Sequence, residues 1–164
     1  MTEQDYVNEL SRRFRDSDEA TADIMRLADE AVAALPHSAR LWCMRGDLIQ
    51  VGTEEVRHTL DDARASYERA LVLEPDNAEA LECMGHFFDA IVPDSSKAEW
   101  YFLRSIDHGA SKEAFVSLAE LYLASGRATE ALAILQPERC PYHSDPEIDV
   151  VAHEVAEAIA TRGA

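Results

Sequence analysis

Apolar residues recur along this chain at helical spacing, in stretches separated by polar and turn-forming residues. Over 3–15 the positions Tyr6, Val7, Leu10 and Phe14 share one face, and up to Leu35 the residues Ile24, Leu27, Ala28 and Ala31 do the same. Near the end, Ile148, Val151, Val155 and Ile159 form a stripe opposite Asp149, His153, Glu154 and Glu157. Recurrence every three to four residues buries one side of an α-helix. Val and Ile are scattered and do not alternate, so no strand is predicted. The breaks carry their own chemistry. Asp16, Ser17 and Asp18 are read as cap and first turn of the second helix, which Pro36 ends, and the next helix opens near Ser38. Residues 92–96 and 125–126 are bends, a helix over about 95–107 stops at Gly109, and Pro137 and Pro141 cut short the helix before them. Asp145 and Pro146 then cap and start the last helix. Arg12, Arg13 and Arg15 are read as cations complementing the C-terminal dipole of the first helix.

The pattern also repeats on a longer scale. Trp42 and Gly46 on one helix are followed by Ala63, Tyr67 and Ala70 on the next, with Pro75, Asp76 and Asn77 closing the unit. The same residue types return at Leu81, Gly85, Phe88, Ala98 and Phe102, then at Phe115, Ala119, Tyr122 and Ala131. Gly46 to Gly85 is 39 residues and Gly85 to Ala119 is 34, a period that indicates stacked helical hairpins. Small residues let two backbones approach and bulky ones fill the space beside them. One interval departs: Gly46 to Ala63 is 17 residues, against 13 from Gly85 to Ala98 and 12 from Ala119 to Ala131. The surplus, around residues 52–59, is expected to lengthen the hairpin or form a protruding turn.

These residues resemble the tetratricopeptide repeat (TPR). Its Trp-x2-Leu-Gly-x2-Tyr signature is matched by Trp42, Arg45, Gly46 and Ile49, by Leu81, Met84, Gly85 and Phe88, and by Phe115, Leu118, Ala119 and Tyr122. Its second-helix pattern is matched by Ala63, Tyr67, Ala70 and Pro75. Arg45 stands where the signature has Leu, Ser105 where it has a small Ala, and the third repeat lacks the closing Ala and Pro. Lys97, Ala98, Tyr101, Phe102 and Gly109, before Leu118, Ala119 and Tyr122, also resemble a Sel1-like repeat, which shares the hairpin architecture. The resemblance implies an all-α fold, a right-handed superhelical solenoid of antiparallel hairpins with about nine helices. It is read as a single domain over 1–164: a degenerate first hairpin at 2–36, repeats at 38–77, 78–110 and 111–137, and a capping helix at 145–161.

Charge narrows the function. The chain has 32 acidic against 15 basic residues, a net charge of −17, which repels nucleic-acid phosphates and anionic membranes and attracts cationic segments. Three cysteines, Cys43, Cys83 and Cys140, have no metal-type spacing and suit a reducing compartment. The start of the chain has no signal-peptide pattern and no apolar run reaches membrane-spanning length, so a cytoplasmic location is expected.

Candidate chemistry is sparse. His153 and Glu154 lack the second His of a zinc-protease helix. Cys140 and His143 share a loop without further ligands nearby, and His58 with Asp61 and Asp62 is read as an acid-rich helix start. His37, His86 and His108 stand alone. No phosphate loop, nucleophile elbow or dinucleotide fingerprint occurs. The TPR resemblance implies instead that the first helix of each hairpin lines a concave groove for a partner peptide or helix. Carried over, that groove comprises Arg40, Cys43, Asp47 and Gln50, then Glu79, Glu82, His86 and Asp89, then Glu113, Val116, Glu120 and Leu123. Half of these are acidic and only Arg40 is basic. The family's clamp for chaperone C-termini needs Lys, Arg and Asn where Cys43, Asp47, Glu82, His86, Val116 and Glu120 stand, so such tails are not expected to bind. The expected function is that of an interaction scaffold or adaptor whose acidic groove takes a basic or amphipathic segment of another protein. It is not read as an enzyme, and neither cofactor nor metal is expected. The alternatives are a structural or self-associating module with a merely solvating acidic surface, and an enzyme whose site is assembled from distant residues. Oligomeric state is left open.

Overall fold

The computed structural model describes residues 1–17, 19–53 and 57–162, and all elements among them are helical. The chain divides into two compact units, Met1–Met84 and Gly85–Ala164, with the division falling inside one helix.

The first unit holds α1 (Glu3–Ser17), α2 (Ala22–Ala34), α3 (Ala39–Gln50), α4 (Leu60–Leu73) and the start of α5 (Ala78–His86). Helices α1 to α4 pack in succession, and α1 also touches α3, so the first hairpin is laid on the second. The expected inward residues Ile24, Leu27, Ala28 and Ala31 are buried, as are Tyr6, Val7 and Leu10, while Phe14 is half-buried. The key close approach is at Gly46, where a β-carbon would fall 2.6 Å from Tyr67 Cζ and 2.9 Å from its Cδ1. Only a bare backbone lets the fully buried Tyr67 ring lie against α3.

The second unit holds the end of α5, a π-helical turn (Phe87–Ile91), α6 (Ser95–Asp107), α7 (Lys112–Ala124), α8 (Ala128–Leu135) and α9 (Pro146–Arg162). Gly85 repeats the close approach, its ideal β-carbon lying 2.6 Å from two ring atoms of the buried Phe102. The hairpin turns at Gly109 and Gly126 adopt φ of 87° and 77°, a region a β-carbon disfavours. Helix α9 packs on both α8 and α7, burying Ile148, Val151 and Val155 and exposing Asp149, His153, Glu154 and Glu157 as the stripe predicts.

Four local readings need correction. The N-cap of α2 is Thr21, whose side chain accepts from Ile24 N, while Asp16 and Ser17 complete α1. Asp18 lies outside the described residues. Arg15 stands in the last turn of α1 as expected, but Arg12 and Arg13 precede that turn and bond side chains: both bond Glu9 at 2.7 Å, and Arg12 also bonds Asp16 at 3.0 Å. These guanidinium bonds lower the Glu9 pKa to about 2. The helix expected to continue through Phe88 and Asp89 instead widens, with Val92 N–H donating to Phe87 O across five residues at 3.0 Å. Finally, the described part of the surplus at 52–59 lies between α3 and α4 and lengthens neither; residues 54–56 lie outside the described residues. Thr53 N–H donates to Ala20 O at 3.2 Å and Ala20 N–H to Val51 O at 3.4 Å, so the α1–α2 link is bridged to the end of α3.

Candidate binding site

Helix α3 is started by Ser38, whose hydroxyl accepts from Leu41 N at 3.2 Å. From there Arg40, Cys43, Asp47 and Gln50 fall along one face. The buried Tyr67 of α4 fixes two of them: its hydroxyl donates to Asp47 Oδ1 at 2.8 Å and accepts from Gln50 Nε2. Burial, reinforced by the Asp47 charge, pushes the ionisation of Tyr67 far up, so it remains a neutral donor. From α5 the Cys83 thiol donates to the same Asp47 Oδ1 at 3.5 Å. Glu79 retains exposed surface, yet desolvation against its neighbours, followed by repulsion from Asp47, raises its carboxyl above the usual range; Arg40 partly offsets this. Glu82 adds further repulsion. Of the predicted residues, Arg40, Asp47 and Glu82 therefore act electrostatically on Glu79 within the first unit, and Gln50 joins them only through its bond to Tyr67.

Beside this group lies a feature the sequence does not disclose, a cleft of about 460 Å³ between α1 and α3. Helix α1 supplies Leu10, Ser11, Phe14 and Arg15; α3 and its end supply Met44, Asp47, Leu48 and Val51. Its floor is apolar, and Asp47 belongs to both the cleft and the acidic group.

The opposite side of α3 accounts for the odd signature residue Arg45. Its Nε donates to Asp29 Oδ1 at 2.7 Å, Nη1 to Ser66 Oγ at 2.6 Å, and Nη2 lies 3.3 Å from His58 Nδ1. His58 Nε2 sits 2.9 Å from Asp29 Oδ2. A guanidinium only donates, so Nδ1 must accept from it and the Nε2–H faces Asp29. Both imidazole nitrogens are thus engaged, and no lone pair is left to take a substrate proton. The expected acid-rich helix start is present, with Asp61 and Asp62 in the first turn of α4, while His58 is engaged by Arg45 and Asp29. Asp62 forms a capping box with Thr59, and Asp61 pairs with Arg64 at 3.2 Å.

The arrangement of hairpins can be compared with known structures. TTC0263, a thermophilic TPR protein from Thermus thermophilus, superposes with a TM-score of 0.66 at 22% identity, covering 85% of this chain and 73% of that one. The fold is the tetratricopeptide-repeat fold. MamA protein superposes with a TM-score of 0.64 at 17% identity, over 96% of this chain and 88% of its own. No protein-family model matches the sequence, and no curated protein sequence matches it significantly.

In TPR terms the second unit continues the same helix order. His86 stands edge-on to Phe102 with ring centroids 5.0 Å apart, and Asp89 is exposed within the π turn. On α7, Glu113 and Glu120 are exposed, and Val116 and Leu123 are half-buried. Tyr122 donates to Glu99 at 3.0 Å, and the Arg127 guanidinium, 2.6 Å from Glu99, covers the Tyr122 ring at 4.2 Å. Burial first, then the Glu99 bond, raises the Tyr122 pKa to about 12. The Cys140 thiol is buried, and His143 Nδ1 lies 3.1 Å from the Cys140 carbonyl oxygen. Among the described residues no three His, Cys, Asp or Glu side chains converge as metal ligands. No described helix is long and apolar enough to cross a membrane.

Proposed function

We propose that this protein is a recognition module that binds an amphipathic, Lys- or Arg-bearing segment of another protein on the α1–α3–α5 side of its first unit. The observation that carries this reading is the double membership of Asp47. It lines the apolar cleft, and its charge repels that of Glu79, whose carboxyl is raised first by desolvation and then by this repulsion. A ligand with an apolar side chain in the cleft would bring a cation to Asp47, Glu79 and Glu82, relieving that repulsion as it binds. The net charge of −17 steers such a ligand in from a distance. The exposed Glu113 and Glu120 on α7, with His86 and Asp89, offer the second unit a face of the same sign, and three free thiols suit a reducing, cytoplasmic setting.

The test is fluorescence anisotropy with amphipathic peptides that differ only in Lys/Arg content. Affinity should fall steeply as salt rises from about 50 to 500 mM, because the Debye length shortens over that range. Glu79→Lys with Glu82→Lys should weaken binding at least about tenfold, or ~1.4 kcal/mol. The raised Glu79 carboxyl sets the pH dependence. A cationic ligand favours its ionised form, so affinity should rise as pH rises through its upward-shifted titration. Affinity indifferent to salt, pH and charge reversal would reject the proposal. Concentration-dependent light scattering without peptide binding would favour the self-associating alternative.

A further inference from the structure

One face of α6 carries a surface that the acidic site does not account for. Lys97, Trp100, Tyr101 and Arg104 stand at i, i+3, i+4 and i+7, on one side of the helix, while Ala98, Phe102 and Ser105 are buried. Trp100 is 51% exposed, more than any other Phe, Tyr or Trp among the described residues. Tyr101 meets it edge-on with ring centroids 4.7 Å apart and stacks on Phe88 at 5.7 Å. Arg104 Cζ lies 5.2 Å from the Trp100 ring centroid, and Lys97 Nζ lies 4.8 Å from that of Phe88. Solitary apolar residues on a surface are ordinary. This one is joined to two further rings and stands between two cations, in a chain whose net charge is −17.

We propose that this face of α6 docks on the acidic site of a second copy of the chain, with Trp100 entering the cleft between α1 and α3 and with Lys97 and Arg104 meeting Asp47, Glu79 and Glu82. The inference rests on the recognition reading above, which asks for an apolar side chain accompanied by cations, and it names the segment that supplies them. Size and chemistry match: the cleft of about 460 Å³ has room for an indole ring, and Leu10, Phe14, Met44 and Leu48 line it. Charge sets the orientation. Arg15 stands on the α1 edge, so incoming cations favour the α3 and α5 side, where the carboxylates are. Lys97 can exchange its present partner, Asp94 at 3.2 Å, because the two side chains are 59% and 37% exposed and such a pair is weak. Anchors at i, i+3, i+4 and i+7 are those by which a helix seats in a groove. The two surfaces differ, so the contact is heterologous and each copy can engage two neighbours.

Sedimentation velocity on the full chain tests this. The salt is held at about 150 mM, where the Debye length of about 8 Å screens repulsion between whole copies and leaves pairs in contact largely intact. From micromolar to millimolar protein, the mass should rise past that of a dimer. Trp100→Ala lacks one surface and Glu79→Lys with Glu82→Lys lacks the other, so each alone should associate at least about tenfold more weakly. Mixed, they should form a one-to-one dimer and nothing larger, since the first retains the acidic site and the second retains the Trp100 face. Each enters the mixture only with the helical circular dichroism of the parent. A measurement without variants runs beside this one: the amphipathic Lys/Arg peptides of the anisotropy assay should break the wild-type assembly into single chains. A wild type that stays single at millimolar concentration, an assembly that the bound peptide leaves intact, or a mixture no larger than its components would overturn the inference. A single chain that still binds those peptides would leave the recognition reading standing without it, whereas failure of both would reject that reading as well.

Discussion

Gly46→Ala should destabilise the first unit by about 2–4 kcal/mol, although alanine in a helix interior ordinarily gains about 1 kcal/mol over glycine. The added methyl would enter the Tyr67 ring, with Cζ at 2.6 Å and Cδ1 at 2.9 Å. An exposed tyrosine would swing aside. Tyr67 has no exposed surface, and Asp47 and Gln50 hold its hydroxyl. Overpacking of about 1–3 kcal/mol therefore combines with loosened hydrogen bonds worth about 1 kcal/mol each. Urea unfolding of a Trp100→Phe background, in which Trp42 alone reports on this unit, would measure the effect. Gly85→Ala should cost less, since Phe102 has no hydroxyl to anchor it, and Tyr67→Leu should recover part of the Gly46→Ala loss. A Gly46→Ala protein as stable as its parent would show that the α3–α4 contact is looser than these distances imply.

Arg45→Leu restores the residue that the repeat signature has and should nevertheless destabilise the protein, by about 1–3 kcal/mol. Removing the guanidinium strips Asp29 of a 2.7 Å partner, Ser66 of a 2.6 Å one, and His58 Nδ1 of its donor. Loss of one partner from a fully buried pair costs about 3–5 kcal/mol. The Asp29 side chain is 42% exposed against 13% for Arg45, so Asp29 rehydrates and the penalty shrinks. Arg45→Lys should not rescue the network, because an ammonium cannot reach three acceptors in the planes a guanidinium spans. A second readout separates this account from general loosening. His58 is held to α2 through Asp29 and to α3 through Arg45, so trypsin should cut after Arg57 markedly faster in the variant. Unchanged stability and unchanged cleavage at Arg57 would together refute the account.

The range of each interaction decides whether the sequence discloses it. The start of α3 at Ser38, the end of α6 before Gly109 and the turn at Gly126 are set within a few residues, and helical periodicity with turn chemistry reads them directly. Thr21 is not evident as a cap because Asp16, Ser17 and Asp18 are equally good caps, and the choice is made where Ala20 is bridged to residues far along the chain. Arg45 stands out as a departure from the signature. Its partners, 16 residues before and 13 after, cannot be read from spacing. The faces of α3 and α5 are likewise a matter of counting turns. That Tyr67 orients Asp47 and Gln50, or that α1 and α3 leave a cleft, depends on distances between helices, which no single-chain pattern encodes.

The π turn has a genealogical consequence. The small-residue interval in that hairpin, Gly85 to Ala98, is 13 residues, one longer than Ala119 to Ala131. A widened turn is how a helix absorbs a single inserted amino acid without unthreading the residues beyond it. Asp89 and Ala90, both exposed within it, mark where an ancestor one residue shorter would run as plain α-helix. Excising either one today should leave the hairpin closed, its scar healed.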